Sequence, residues 1–223
     1  MARHPDVPFW VCPGDLASEC GEYPRPCVPL YWIKGNNEDF DFVAAQPPGA
    51  GTIPNLHYIP NGISVQAPDG ITLAGLGGTF APTWYDKPAA ELPAPRLASL
   101  ARGALSLSKG GGKRDDKRRH FVQQEVEACK QLTGVDVFLS HEAARPFLLP
   151  SRKKAGPARP IDAGKTPIND VLAAMRPRLH LFGHHHTYVE AVRQHVPSIG
   201  LEMVSASYLI FDGRSLAHQR LTT

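Results

Sequence analysis

The chain has 223 residues, a formal net charge of +3 at pH 7 and 42% apolar residues, with a mean hydropathy of −0.24, which suits one domain with a sizeable core. No stretch reaches the roughly 18 apolar residues of a membrane span, and no basic-then-apolar leader opens the chain, so a cytoplasmic protein with no membrane partner is expected. The charge is too small to require a nucleic-acid partner by itself.

Cys12, Cys20, Cys27 and Cys129 show no C-x-x-C spacing, which argues against a structural zinc knuckle and for free thiols. The 22 prolines and 20 glycines imply many loops between short elements.

Val7-Pro8-Phe9-Trp10-Val11-Cys12 reads as a strand that delivers Pro13-Gly14-Asp15 at its end. Gly-Asp is by itself a turn dipeptide, yet a carboxylate after a strand-terminal Gly is also a hard-oxygen ligand. Pro29-Leu30-Tyr31-Trp32-Ile33-Lys34 repeats the pattern and ends in Gly35-Asn36-Asn37-Glu38-Asp39. Between residues 55 and 80, short apolar runs at 57–59, 62–65 and 71–76 are separated by Pro-Asn-Gly and Pro-Asp-Gly, the signature of a small antiparallel meander. Gly75, Gly77 and Gly78 precede no helix, so close backbone packing is expected of them rather than a phosphate cradle.

Residues 86–120 read as a flexible basic loop with linker material at 109–113 and a mostly basic run at 113–120. Such a run is a solvated loop, or a rim whose Arg118, Arg119 and His120 grip substrate phosphates. Apolar residues at 122, 126, 129 and 132 predict a helix over 121–132, stopped by Gly134, before a buried strand over 135–140 that ends in His141-Glu142.

Residues 151–165 are Pro, Lys and Arg rich and read as loop. Thr166 as N-cap and Pro167 in the first turn open a helix over 168–175. An apolar strand from Leu179 then delivers Gly183-His184-His185-His186. In an extended segment His184 and His186 face one side and His185 the other, and two imidazoles at a strand end are half of a Zn, Mn or Fe site. The tail reads as a closing hairpin of 199–204 with 208–211, ending in Asp212-Gly213.

The ordered set Gly14-Asp15, Gly35-Asn36-Asn37-Glu38, His141 and Gly183-His184-His185-His186 resembles the calcineurin-like metallophosphoesterases, most closely the lariat-debranching-enzyme-like and bacterial branch. The likeness spans residues 9 to about 211. It implies a single α/β domain over 1–223, a four-layer α/β/β/α sandwich with metal ligands on loops at one edge of two sheets. By the resemblance Asp15 bridges two metals, Asn36, His141 and His184 complete the second metal's shell, and His186 belongs to the first.

Two departures shape the expectation. The family's Gly-Asn-His-Glu motif carries a proton-donating His where this chain has Asn37, so general-acid help worth roughly 10²–10⁴-fold is absent. The family's opening Asp-x-His strand has no counterpart here, which implies an N-terminally truncated sandwich with Phe9 to Cys12 at a sheet edge or beside a gap. The expected protein is a metal-dependent phosphoester hydrolase, a phosphodiesterase with one firmly bound Mn, Fe or Zn type ion and an impaired first site, acting on a phosphoester that includes nucleotides or nucleic acid. The alternative is a weak or inactive member of the fold that binds a phosphorylated ligand, nucleic acid or protein partner.

Overall fold

The computed structural model describes residue 4 and residues 6–94, 116–149 and 160–223. The linker at 109–113 and the start of the basic run, within 95–115, and residues 150–159, which include most of the second loop, lie outside the described residues.

In chain order the strands are β1 (Trp10–Cys12), β2 (Leu30–Trp32), β3 (Leu56–Tyr58), β4 (Ser64–Gln66), β5 (Thr72–Leu76), β6 (Thr79–Phe80), β7 (His120–Phe121), β8 (Val137–Ser140), β9 (Leu148–Leu149), β10 (Ile161–Asp162), β11 (Leu179–Phe182), β12 (Val189–Arg193), β13 (Val196–Gly200), β14 (Ser207–Phe211) and β15 (His218–Thr222). The helices are α1 (Phe40–Ala44), α2 (Pro82–Tyr85), α3 (Gln123–Lys130) and α4 (Thr166–Met175). The chain is mixed α/β. Strands β1, β2 and β3 form a parallel sheet, and a six-stranded mixed sheet has the order β12-β13-β11-β8-β5-β4.

Side-chain alternation along the strands decides what each face meets. Leu73, Val137, Leu139, Leu179 and Leu181 leave the six-stranded sheet on one face and pack against Tyr31, Ile33 and Ile59. Ala74, Leu76 and Phe138 leave on the other face and meet Val126 and Cys129 of α3 and Ile168, Val171, Leu172 and Met175 of α4. The far face of the smaller sheet, through Leu30, Trp32, Leu56 and Tyr58, covers Val43 of α1. The two sheets approach so closely that a Cβ on Gly75 would stand 2.3 Å from Ile33. A Cβ on Gly77 would likewise stand 2.4 Å from the Lys34 carbonyl, so these glycines serve close backbone packing.

Several local expectations are corrected. Residues 55–80 are not one meander: β3 joins β2 in parallel in the smaller sheet, and only β4 and β5 pair antiparallel. The Pro60-Asn61-Gly62 turn carries the chain from one sheet to the other, with Gly62 at φ +75°. The tail does not pair 199–204 with 208–211; β13 pairs with β11 and β12, while β14 pairs with β15. Asp212 makes that last hairpin by accepting from the Arg214 and Ser215 amides at 3.1 and 2.7 Å.

Helix α3 starts at Gln123 rather than 121, because Phe121 is in β7 and Glu125 Oε2 accepts from the Val122 amide at 2.9 Å. Helix α4 starts one residue earlier than a Thr166 cap allows, with Lys165 as N-cap. Residues 116–120, expected as loop, form a 3₁₀ turn at Lys117–Arg119 and enter β7. The four cysteines are free thiols. Among the described residues no helix is long and apolar enough to cross a membrane.

Candidate metal centre

Strand β1 ends at Cys12, and the chain turns through Gly14 at φ +99° and Asp15 at φ +57°. Only Gly fits the first of these positions, since its Cβ would fall 2.6 Å from His141 Nδ1. Strand β2 ends alongside and supplies Gly35-Asn36-Asn37. The amides of Asn36 and Asn37 both donate to Asp15 Oδ1 at 2.8 Å, and the Asn37 side-chain amide donates to Oδ2 at 3.0 Å. Oδ1 therefore has both lone pairs engaged and Oδ2 keeps one to offer.

Glu38 joins the two loops. It is 1% exposed and accepts from the Leu16, Ala17 and Gly35 amides at 3.0, 3.2 and 3.1 Å and from the Tyr23 hydroxyl at 2.9 Å. A buried carboxylate satisfied by four donors fixes the loops around it.

The six-stranded sheet brings the imidazoles. His141 follows β8, is 1% exposed, and its Nδ1 lies 2.8 Å from the Pro13 carbonyl. A carbonyl only accepts, so Nδ1 carries the proton and Nε2 presents a lone pair. That lone pair faces Asn36 Oδ1 at 2.9 Å and Asp15 Oδ2 at 3.6 Å. Three electron-pair donors converging with no proton between them repel one another unless a cation lies among them.

His184 completes the set. Its ring centroid is 4.8 Å from that of His141, and the ligand atoms of Asp15, His141 and His184 all lie within 4.8 Å of one another. Metal bonds of about 2.0–2.2 Å to N and O donors span such a cluster after a small inward adjustment. Burial first, then the neighbouring His141 and His185, drives the His184 pKa down to about 3. Burial likewise lowers that of His141, against the opposing pull of Asp15. Both rings are neutral at ordinary pH, the form that ligates.

The histidine triplet does not follow the extended pattern expected of it. His184 and His186 sit at φ +64° and +51°, so alternation by twos does not apply. His186 is exposed and outside the Asp15, His141 and His184 group. His185 turns under the loop, its ring 4.6 Å from Phe147, and burial lowers its pKa to about 4.

The basic side chains near the site have structural partners. Arg118 pairs with Asp116 and Asp41 at 2.6 and 2.7 Å, and Arg119 lies in the same turn. His120 Nδ1 contacts the Thr79 hydroxyl at 3.0 Å, and burial lowers its pKa to about 4. Lys34 donates to the Arg118 and His120 carbonyls at 3.1 and 3.2 Å, tying this segment to the end of β2.

Sequence reasoning missed His180, one position from each flanking leucine of an apolar strand. Its alternation signal was available: a polar residue within a buried run needs partners.

No protein-family model matches the chain, and no curated protein does. Its fold is similar to that of solved proteins. One crystal structure superposes with a TM-score of 0.56 at 10% identity, over 88% of this chain and 66% of the other, so the chain spans just under two thirds of that protein's length. TT1561 of Thermus thermophilus superposes with a TM-score of 0.52 at 10% identity, over 87% of this chain and 72% of that one. At such identity the likeness establishes the α/β fold alone.

Proposed function

We propose that the chain is a metal-dependent phosphoester hydrolase of the calcineurin-like kind, a phosphodiesterase working at one divalent ion of the Mn, Fe or Zn type. The convergence of Asp15 Oδ2, Asn36 Oδ1 and His141 Nε2, with no proton to separate them, carries this reading. These atoms and His184 would hold the ion, and the mixed nitrogen and oxygen set suits those metals better than Ca. The stacking of α3 and α4, the six-stranded sheet, the three-stranded sheet and α1 supports the four-layer sandwich of that family.

An ion at such a centre supplies Lewis acidity to a phosphoryl oxygen and lowers the pKa of water toward neutrality. The chain's own residues do the rest. The Pro13 carbonyl keeps the His141 proton on Nδ1, and the amides of Asn36 and Asn37 hold Asp15 as a carboxylate aimed at the cluster. Glu38 fixes both loops, so the ligands are in place before any ligand arrives. Asn37 is exposed beside Asp15 and orients it, but has no titratable proton for a leaving group. That observation favours, as a second reading, a weak or non-catalytic protein that binds a phosphorylated ligand at the same centre.

The test is metal content and turnover together. Purified protein loaded with Mn²⁺ should retain about one ion per chain and hydrolyse bis(4-nitrophenyl) phosphate faster than 4-nitrophenyl phosphate, with both properties lost in Asp15→Asn. Absence of bound metal would sink both readings. Bound metal without turnover would leave the non-catalytic one.

A further inference from the structure

A line of polar side chains crosses the helix-side face of the six-stranded sheet. His180 of β11 stands opposite Phe138 of β8 and Ser198 of β13, so it leaves the sheet on the face where Phe138 meets α3 and α4. Ser140 follows Phe138 by two positions and shares that face. Ser140, His180 and Ser198 are each at most 1% exposed.

The protons on this line are fixed by what each atom can do. The Ser140 hydroxyl donates to the Glu142 carbonyl at 2.5 Å, and one hydroxyl carries one proton, so toward His180 Nε2 at 2.7 Å it accepts. The imidazole therefore carries its proton on Nε2 and turns a lone pair at Nδ1 toward Ser198 Oγ, 3.1 Å away. Phe138 and Phe182 flank the ring at centroid distances of 5.5 and 5.4 Å and keep it in this orientation.

Such a line adds little to the core's stability. Burying an imidazole and two hydroxyls costs desolvation that their hydrogen bonds roughly offset, and an apolar side chain of similar volume serves packing as well. What the polar line supplies and an apolar filling does not is direction. Ser140 and Glu142 stand on either side of His141, so the bond between them closes a short ring around the residue that offers Nε2 to the centre. The His141 amide is already tied to the Leu76 carbonyl at 3.2 Å and its ring to the Pro13 carbonyl at 2.8 Å. The peptide that follows His141 is fixed by the Ser140 hydroxyl, and the rotamer of that hydroxyl is fixed by His180.

We propose that His180 is a positioning residue for the metal centre: acting through Ser140, it holds the turn at 140–142 so that His141 Nε2 keeps its place beside Asp15 and Asn36. This rests on the metal-centre reading and adds what aims one of its ligands. Partners behind a metal ligand set its orientation, and their loss typically weakens metal binding by about 10–100-fold.

The test compares metal affinity with stability. Mn²⁺ is titrated into the metal-free protein and its variants, thermal midpoints of the metal-free forms are measured alongside, and Co²⁺ replaces Mn²⁺ to give a visible spectrum that reports ligand geometry. His180→Leu strands no donor, since the Ser140 and Ser198 hydroxyls keep the Glu142 and Val196 carbonyls. It should fold with a midpoint close to the parent's, bind Mn²⁺ about tenfold more weakly or worse, and shift the Co²⁺ bands. Ser140→Ala deletes the link itself and should be at least as weak, and the double variant should be no weaker than Ser140→Ala alone, because both act through one chain. His180→Gln, whose amide N–H stands in for Nε2–H, should stay within a few fold of the parent. Val171→Ala, buried on the same face from α4, should lower the midpoint and leave Mn²⁺ affinity and the Co²⁺ spectrum unchanged. Parent-like affinity in His180→Leu overturns the proposal, as does a His180→Gln protein as weak as His180→Leu. An equal loss in Val171→Ala also overturns it, since affinity then follows stability rather than aim. Should His180→Leu fail to fold, Ser140→Ala decides by the same criteria. A parent that binds no Mn²⁺ overturns the centre itself, so the two failures are distinct.

Discussion

Gly35 stands where a methyl group has no room: its Cβ would lie 2.1 Å from Asp15 Oδ1 and 2.2 Å from the Asp15 amide nitrogen. Both neighbours belong to one turn, whose backbone conformation already lies in the left-handed region at Asp15. Gly35→Ala must therefore push the two loops apart, at a cost of about 1–3 kcal/mol. Metal titration of a folded Gly35→Ala protein should show affinity at least tenfold weaker, whereas an unchanged affinity would mean the loops give freely. Asn37 lends itself to an opposite experiment. Its amide orients Asp15 Oδ2 at 3.0 Å, and the position is exposed, so a larger ring has space. Asn37→His should raise turnover of phosphodiesters with poor leaving groups and change activated aryl esters little, because general-acid help matters only where departure is difficult. Equal effects on both substrate types would assign the position another role.

Strands β8, β11 and β13 are stitched beneath the centre by a chain of side chains from Ser140 through His180 to Ser198. Ser140 Oγ donates to the Glu142 carbonyl and accepts from His180 Nε2–H at 2.7 Å, and His180 Nδ1 lies 3.1 Å from Ser198 Oγ. Full burial drives the His180 pKa from 6.5 to about 3. Above pH 6.5 the ring is neutral folded or unfolded, and its contribution is intact. As pH falls from 6.5 toward about 3, unfolded chains take up a proton that folded ones refuse, so stability is lost by about 1.4 kcal/mol per pH unit for this residue. Urea unfolding between pH 7 and 5 should show a slope summed over His180 and the other histidines with lowered pKa, His120, His141, His184 and His185, and His180→Gln should flatten it by close to one proton; an unaltered slope would place the proton uptake elsewhere. Strands β1, β2, β8 and β11 were readable because each is an apolar run closed by Gly or polar residues, whereas β13 begins at Val196 rather than 199 and the polar β12 and β15 were not expected. How the strands pair was not readable, since it is set by contacts distant in sequence. Asn36 and His141, 105 residues apart, meet at 2.9 Å only because β2 and β8 end at the same edge of facing sheets. Nor did the sequence disclose the left-handed backbone at His184 and His186, a conformation uncommon outside Gly.

The centre spans the two larger sheets. Asp15 and Asn36 follow strands of the smaller sheet, and His141 and His184 follow strands of the larger. Between the sheets lies an interface held by dispersion and apolar burial, with Ile33, Ile59, Leu73, Val137, Leu139 and Leu181 at its middle. An ion bound at the rim would pin one sheet to the other, and because the ligands come from both, the unfolded chain offers no comparable site. Binding then appears directly as folding stability, by about 2.7 kcal/mol when free metal is 100 times its dissociation constant. For a chain of this length each kcal/mol moves the midpoint by about 2–4 °C, so saturating Mn²⁺ should raise Tm by roughly 5–10 °C and a chelator should reverse the rise. Replacing one ligand from either sheet, Asp15→Asn or His184→Ala, should abolish the increment. Exposed His186 should matter far less, and His186→Ala should keep most of the shift. A loss in His186→Ala as large as in His184→Ala would show that this further imidazole belongs to the ion's shell and that the loop closes when metal binds.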